Sequence, residues 1–198
     1  MPKIIERSCS GLSVMSLETV NFDRRIVNIH GNITQSSAFE FALSLQYLNS
    51  VSETEPILVM VNSPGGNIDA GMLMYDAIQT SPAPVRLVVL GSAFSMAALL
   101  FASGQHGRYM LTNSKLMLHE PLLGCSIGGN TSSIKTISDD LLATRDKINA
   151  ILAKHTGKTK AAIERITKHE RFFTAQESVK LGMADKVITF GELVKECG

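Results

Sequence analysis

The chain has no tryptophan, only three cysteines in 198 residues, and almost no imbalance of charge. The last two of these each remove a class of function. Cys9, Cys125 and Cys197 are odd in number and widely spaced, so neither a disulfide framework nor a metal-ligand pattern can be drawn from them. A reducing, cytoplasmic setting is the simplest reading. Nineteen Lys and Arg stand against eighteen Asp and Glu, and no basic run exceeds the pair Arg24–Arg25. The clustered basic face that nucleic-acid binding requires is therefore missing. The segment MPKIIERSCSGLS lacks the apolar core of a signal peptide. The longest uncharged run lies between Leu87 and Arg108, but Gly91, Ser92, Ser95 and the stretch Ser103-Gly104-Gln105-His106-Gly107 interrupt it. Its apolar part is too short to span a membrane and reads as a buried strand leading into a buried helix.

What is present is enough apolar residue, 44%, to build one sizeable core. No repeat or low-complexity linker divides the chain, so residues 1–198 are expected to form a single domain. Arg25–Ile29 is a short apolar run closed by Gly31, and Thr34 precedes a helical pattern reaching about Asn49. Ile57–Val61 is wholly apolar and stops at Asn62-Ser63-Pro64-Gly65-Gly66, which predicts a strand buried on both faces. A helix is expected over Asn67–Gln79, a strand over Val85–Leu90 ended by Gly91, and a helix over Ser95–Ala102. Lys115–Leu118 is a further strand, ending at His119-Glu120-Pro121. Gly124–Asn130 has the composition of an exposed loop or edge strand, and Ser133 to about Lys154 that of a long helix. Thr174 to Glu177 is a capping box for a short helix that Gly182 closes. Strands alternating with helices make an α/β fold.

Open α/β sheets place their sites at strand ends, and two such ends carry chemistry. In Ser63-Pro64-Gly65-Gly66 the glycines free the backbone to bring an N–H close to a ligand. In Gly91-Ser92-Ala93-Phe94-Ser95-Met96-Ala97 a strand feeds a helix, which puts the Ser95 hydroxyl near backbone donors suited to an oxyanion. Each piece also has a plain structural reading: a turn, a helix N-cap, and for His119 a hydrogen-bonded core histidine. The G-x-S-x-G elbow of other hydrolases is absent.

Taken in order, S-P-G-G, G-x-A-x-S-M and M-L-H-E-P resemble the ClpP family, the proteolytic subunit of Clp proteases. The resemblance runs from about Arg25 to Ile188 and includes Ala70–Gln79, Leu111–Ser114 and Ala153–Gly157. It implies an α/β fold of ClpP–crotonase type with a protruding handle helix (residues 124–154 as the handle region, 1–12 as an N-terminal segment). It implies a serine endopeptidase in which Ser95 is the nucleophile, His119 the general base, and the backbone N–H groups of Gly66 and Met96 the oxyanion hole. It further implies heptameric rings stacked as a tetradecamer, unfolded polypeptide as substrate, and a separate AAA+ ATPase unfoldase docking near Met1–Leu12. The chain itself has no Walker A pattern. No metal or organic cofactor and no membrane is implied. Ser92 reads as a turn residue, and His106, His155 and His169 as ordinary polar residues.

The acid is where the chain departs from the family pattern. The family segment reads close to E-R-D-T-x-R-D-x-F, with the second Asp as the acid, and that position falls here on Glu170. Lys168 and His169 replace an acidic–Arg pair used between rings. Phe94 stands for a small residue and Ala97 for a glycine, adding bulk that could narrow the site. The 124–130 loop is about two residues longer. Two other readings stay open: a weakly active regulatory paralogue assembling with an active subunit, and a crotonase-type acyl-CoA enzyme, against which the Ser95–His119 pair argues.

Overall fold

A computed structural model describes residues 3–8, 11–122 and 128–197. Cys9, Cys125 and residues 124–127 of the expected loop lie outside the described residues. The elements in chain order are β1 (Lys3–Ser8), β2 (Gly11–Ser16), α1 (Leu17–Asp23), β3 (Ile26–Ile33), α2 (Gln35–Val51), β4 (Ile57–Gly66), α3 (Ile68–Gln79), β5 (Val85–Phe94) and α4 (Met96–Ala102). They continue as β6 (Arg108–Leu111), β7 (Lys115–Leu118), α5 (Thr131–Thr156), α6 (Lys160–Thr167), β8 (Arg171–Thr174), α7 (Ala175–Lys180), β9 (Lys186–Ile188) and α8 (Phe190–Cys197).

Local chemistry accounts for several boundaries. Thr34 and Ser37 form a reciprocal capping box at the start of α2, and Asn67 caps α3 by accepting the Ala70 N–H at 2.8 Å. Thr174 and Glu177 form the expected box before α7, and Gly182 follows with φ +78°. β3 begins at Ile26 rather than Arg25, because Arg25 has φ +60° and turns the chain out of α1. Its buried guanidinium donates to the carbonyls of Leu48, Ser52 and Glu55, tying that turn to the end of α2.

β1 and β2 make an antiparallel hairpin. The main sheet runs β3-β4-β5-β6-β9, all parallel, with β7 branching from β5 and β8 antiparallel to β7. The branch is the feature that positions the site. Leu87–Val89 of β5 pair with β6, whereas Ser92–Phe94 pair with β7. Gly91 therefore does not end the strand as its composition suggests. The chain passes through Gly91 with a change of neighbour, and pairing with β7 holds it extended to Phe94. β4 likewise runs on through Ser63 to Gly66, where it pairs with β3.

The two faces of β4 are not equally covered, which corrects the expectation of burial on both. Ile57, Val59 and Val61 are fully buried against the helices, while Leu58 and Met60 are half-buried beside Leu193 of α8. Helix α4 sits at the centre, with every residue from Met96 to Ala102 buried. In α5 the buried residues, Ile148, Asn149 and Leu152, all lie toward its C-terminal end. Ile134 and Leu142, in its first part, are exposed. Arg108 knits the C-terminal elements together. Its side chain, 12% exposed, donates to the carbonyls of Ala102, His155 and Gly182 and pairs with Asp185. No helix among the described residues is long and apolar enough to cross a membrane.

Candidate active site

Ser95 occupies the single residue between β5 and α4 and has φ +54°, ψ −122°. A non-glycine residue with positive φ costs about 1–3 kcal/mol and persists only where its surroundings over-determine it. Here both sides of the residue are pinned. The Ser95 N–H donates to the Met117 carbonyl at 2.8 Å, and the Ser95 carbonyl accepts the N–H groups of Ala98 and Leu99 at 3.0 and 3.2 Å. The hydroxyl does not cap α4. It lies 2.7 Å from Nε2 of His119, the first residue after β7. Of the two roles open to a helix-start serine, capping is thus not the one adopted. The sharp strand-to-helix turn of a nucleophile elbow is present without its G-x-S-x-G signature. Only the dihedral angles reveal it.

His119 approaches Ser95 because β7 pairs with the far end of β5: Ala93 faces Leu116 and Phe94 faces Met117. For Nε2 to take a proton from the serine, Nδ1 must carry the ring hydrogen and needs an acceptor. Nδ1 of His119 is buried and has no hydrogen-bond partner among the described residues. Glu170 is exposed, stands immediately before β8, and does not bond the imidazole. The site therefore brings Ser95 and His119 together and leaves Glu170 apart from them. Its place next to the sheet is nonetheless specific. β7 and β8 pair Met117 with Phe172 and Leu118 with Arg171. His119 and Glu170 are the residues just beyond the last of these pairs.

The Pro64-Gly65-Gly66 turn lies against the serine. A Cβ on Gly65 would come within 2.6 Å of the Phe94 carbonyl oxygen and 2.9 Å of the Ser95 Cβ, so no side chain fits between turn and nucleophile. Ser63, which sequence patterning passes over, locks the turn by donating to the Gly31 carbonyl at 2.6 Å and accepting the Gly65 N–H at 3.0 Å. A serine near a strand end carries no sequence signal for that role. Gly66 and Met96 share with Ser95 and His119 the wall of a cavity of about 270 Å³. Met96 is the first residue of α4, so its N–H has no intrahelical acceptor. The rest of that cavity is apolar, formed by Ile68, Leu99, Ile148 and Leu152 among others.

The remaining candidates separate from this centre. Ser92 lies within β5 and bonds Asn62 Oδ1 through both its N–H and its hydroxyl. Phe94 does not line the cavity; its ring meets Phe172 edge to face instead, so its bulk does not narrow the site. Ala97 is fully buried. His106 accepts the Val85 N–H at 3.4 Å. His155 stands 3.2 Å from the Tyr75 hydroxyl. Burial, then the charges of Lys154 and Arg108, hold its protonation below the ordinary histidine range. Lys168 and His169 border a shallow cleft with Arg145 and Arg165. Among the described residues no three His, Cys, Asp or Glu side chains group as a metal site would require.

Fold and site together define a parallel α/β protein with a Ser–His pair at the ends of its central strands. Residues 11–190 match the model of the Clp protease family, described as Clp protease. The chain belongs to that family, and a proteolytic role is consistent with the membership.

Proposed function

We propose that the chain is a serine endopeptidase subunit of Clp type, and the observation that carries this reading is the 2.7 Å contact between Ser95 Oγ and His119 Nε2 at a strained strand-to-helix turn. Ser95 attacks the scissile carbonyl while His119 takes its proton, and His119 then returns that proton to the leaving amine. The N–H groups of Gly66 and Met96 receive the developing oxyanion. Glu170 accepts the Nδ1 hydrogen and orients the ring. The register of β7 and β8 supports that role, and the unsatisfied Nδ1 marks where the carboxylate is needed. The apolar wall of Ile68, Leu99, Ile148 and Leu152 suits an apolar side chain on the acyl side of the cut.

Family membership further supports ring assembly, as stacked heptamers around a chamber that admits unfolded polypeptide delivered by an AAA+ unfoldase. In that assembly α5 serves as the handle helix, and the exposed Ile134 and Leu142 on its first part are consistent with a surface another subunit covers. The fold is then of the ClpP–crotonase type and the setting cytoplasmic.

A serine-reactive fluorophosphonate probe with peptide mapping tests the reading. Label should sit on Ser95 and vanish in Ser95→Ala while the fold is kept; label that persists, or maps to Ser92, overturns it. One observation favours a second reading. With Glu170 exposed and Nδ1 unpartnered among the described residues, the chain alone resembles a weakly active regulatory subunit completed by an active paralogue. Native mass spectrometry of mixed rings, with peptide hydrolysis by the isolated homomer, separates the two. Turnover of an acyl-CoA in place of peptide would instead point to crotonase chemistry.

A further inference from the structure

Phe94 and Phe172 come from strands that are not neighbours, yet their rings meet edge to face with centroids 5.6 Å apart and planes at 90°. Met117, on the strand between, is the register partner of both. The three residues form one row across β5, β7 and β8, and each strand carries one member of the proposed triad at the same end. Ser95 follows Phe94 by one residue, His119 follows Met117 by two, and Glu170 precedes Phe172 by two. The Met117 carbonyl also holds the Ser95 N–H at 2.8 Å.

The row lies on the face of the sheet turned away from the main core. Its neighbours Ala93, Leu116 and Phe173 point into that core, whereas Phe172 is 55% exposed. A ring left this open contributes little burial, so what the pair supplies is geometry. β8 needs it: the strand has four residues and, among the described residues, pairs only with β7. Among the described residues, the Phe94–Phe172 contact is the ring contact that ties the end next to Glu170 to the strand next to Ser95.

We propose that Phe94 and Phe172 are positioning residues, a clasp across Met117 that holds β8 where the Glu170 carboxylate can face Nδ1 of His119. The inference rests on the reading of Glu170 as the orienting acid. It assigns the two rings no contact with substrate, in keeping with their absence from the cavity wall.

The test is steady-state hydrolysis of a fluorogenic peptide by the assembled protein, with kcat and KM measured separately. Phe94→Ala, Phe172→Ala and the double variant are compared in the wild-type and Glu170→Gln backgrounds. Each single change should lower kcat about three- to tenfold (about 0.6–1.4 kcal/mol at 1.36 kcal/mol per tenfold) and leave KM within about twofold. The double variant should be no slower than the slower single, because both remove one contact. In the Glu170→Gln background neither should slow the enzyme further. Phe172→Tyr keeps the ring and should retain wild-type kcat, whereas Phe172→Leu keeps apolar bulk and should not. Losses confined to KM, or losses that multiply with Glu170→Gln, overturn the clasp while the triad stands. A Glu170→Gln effect below about threefold, the scale of a solvated charge, overturns the triad reading and the clasp with it.

Discussion

Replacing Gly66 by alanine should disable the enzyme far more than it destabilises the fold, and the size of each effect can be worked out. Gly66 has φ +151°, a region open almost only to glycine, which costs an alanine about 1–3 kcal/mol. Its Cβ would fall 2.3 Å from the Ile33 carbonyl oxygen and 2.8 Å from the Ile33 nitrogen. Both are backbone atoms of β3 and cannot rotate aside. The strand ends must part by roughly 1 Å, which strains the bond from the Asn67 N–H to the Ile33 carbonyl, now 2.9 Å. A total loss of about 3 kcal/mol follows from the strain and one weakened hydrogen bond. A displacement of about 1 Å costs on the order of 100-fold in rate, and losing an oxyanion donor about 100- to 1,000-fold. Peptide kcat should therefore fall by two to three orders of magnitude, as a rough figure, in protein that still melts cooperatively. Gly31→Ala is the matched control. Gly31 has φ +69° and nothing within 4 Å of a Cβ, so only the conformational cost of about 1–2 kcal/mol applies. Its kcat should stay near wild type. A folded Gly66→Ala protein within about threefold of wild-type kcat would remove the Gly66 N–H from the mechanism. Equal loss in Gly31→Ala would trace the effect to general strain instead.

His119→Ala should abolish hydrolysis about as fully as Ser95→Ala, since the two act as one unit; independent, multiplying losses would contradict that coupling. His155, whose protonation burial and the Lys154 and Arg108 charges oppose, should make stability depend on pH. As pH falls below the ordinary histidine value of 6.5 the unfolded chain binds a proton that the folded chain resists, so stability is complete above that value and declines below it. Thermal melts at about pH 7.5 and about pH 5.5 should show a larger drop in Tm for wild type than for His155→Asn, and equal drops would assign the loss to other groups. Sedimentation or native mass spectrometry should find seven or fourteen copies of the 21.4 kDa chain, a count expected from family membership. A fully active monomer would rule out the chamber.

Much of the fold was legible because its signals are local. Ile57–Val61 announces β4 by composition, the Thr174–Glu177 box announces α7 by hydrogen-bond chemistry, and Ser95 to Ala102 reads as a buried helix start. The misses share a different cause. Gly91 looks like a strand end, and β5 continues past it only because β7 arrives as a second neighbour. β6 and β9, four and three residues long, exist through pairing and have no pattern long enough to detect. α6 is likewise short, although Thr159 caps it. Phe94 reads as bulk inside the site, whereas its ring turns to a partner 78 positions away that only the branch in the sheet brings near.

The candidate site divides the same way. Glu170 is a candidate only through the resemblance to the family segment; residue order and type alone pointed to the others, the glycine turn at 65–66, the serine at a strand–helix junction and the histidine at a strand end. These follow from what each side chain can do and from short-range backbone preferences, which act within a few residues. Tertiary structure alone decided which candidates meet. The Ser95 hydroxyl leaves its capping role for His119 because backbone bonds to Met117, Ala98 and Leu99 hold a dihedral that serine does not choose by itself. Glu170 stands exposed just before β8, although β8 pairs with the strand that His119 follows. The final distance between two side chains depends on how strands from distant parts of the chain are clamped, and no run of neighbouring residues encodes that.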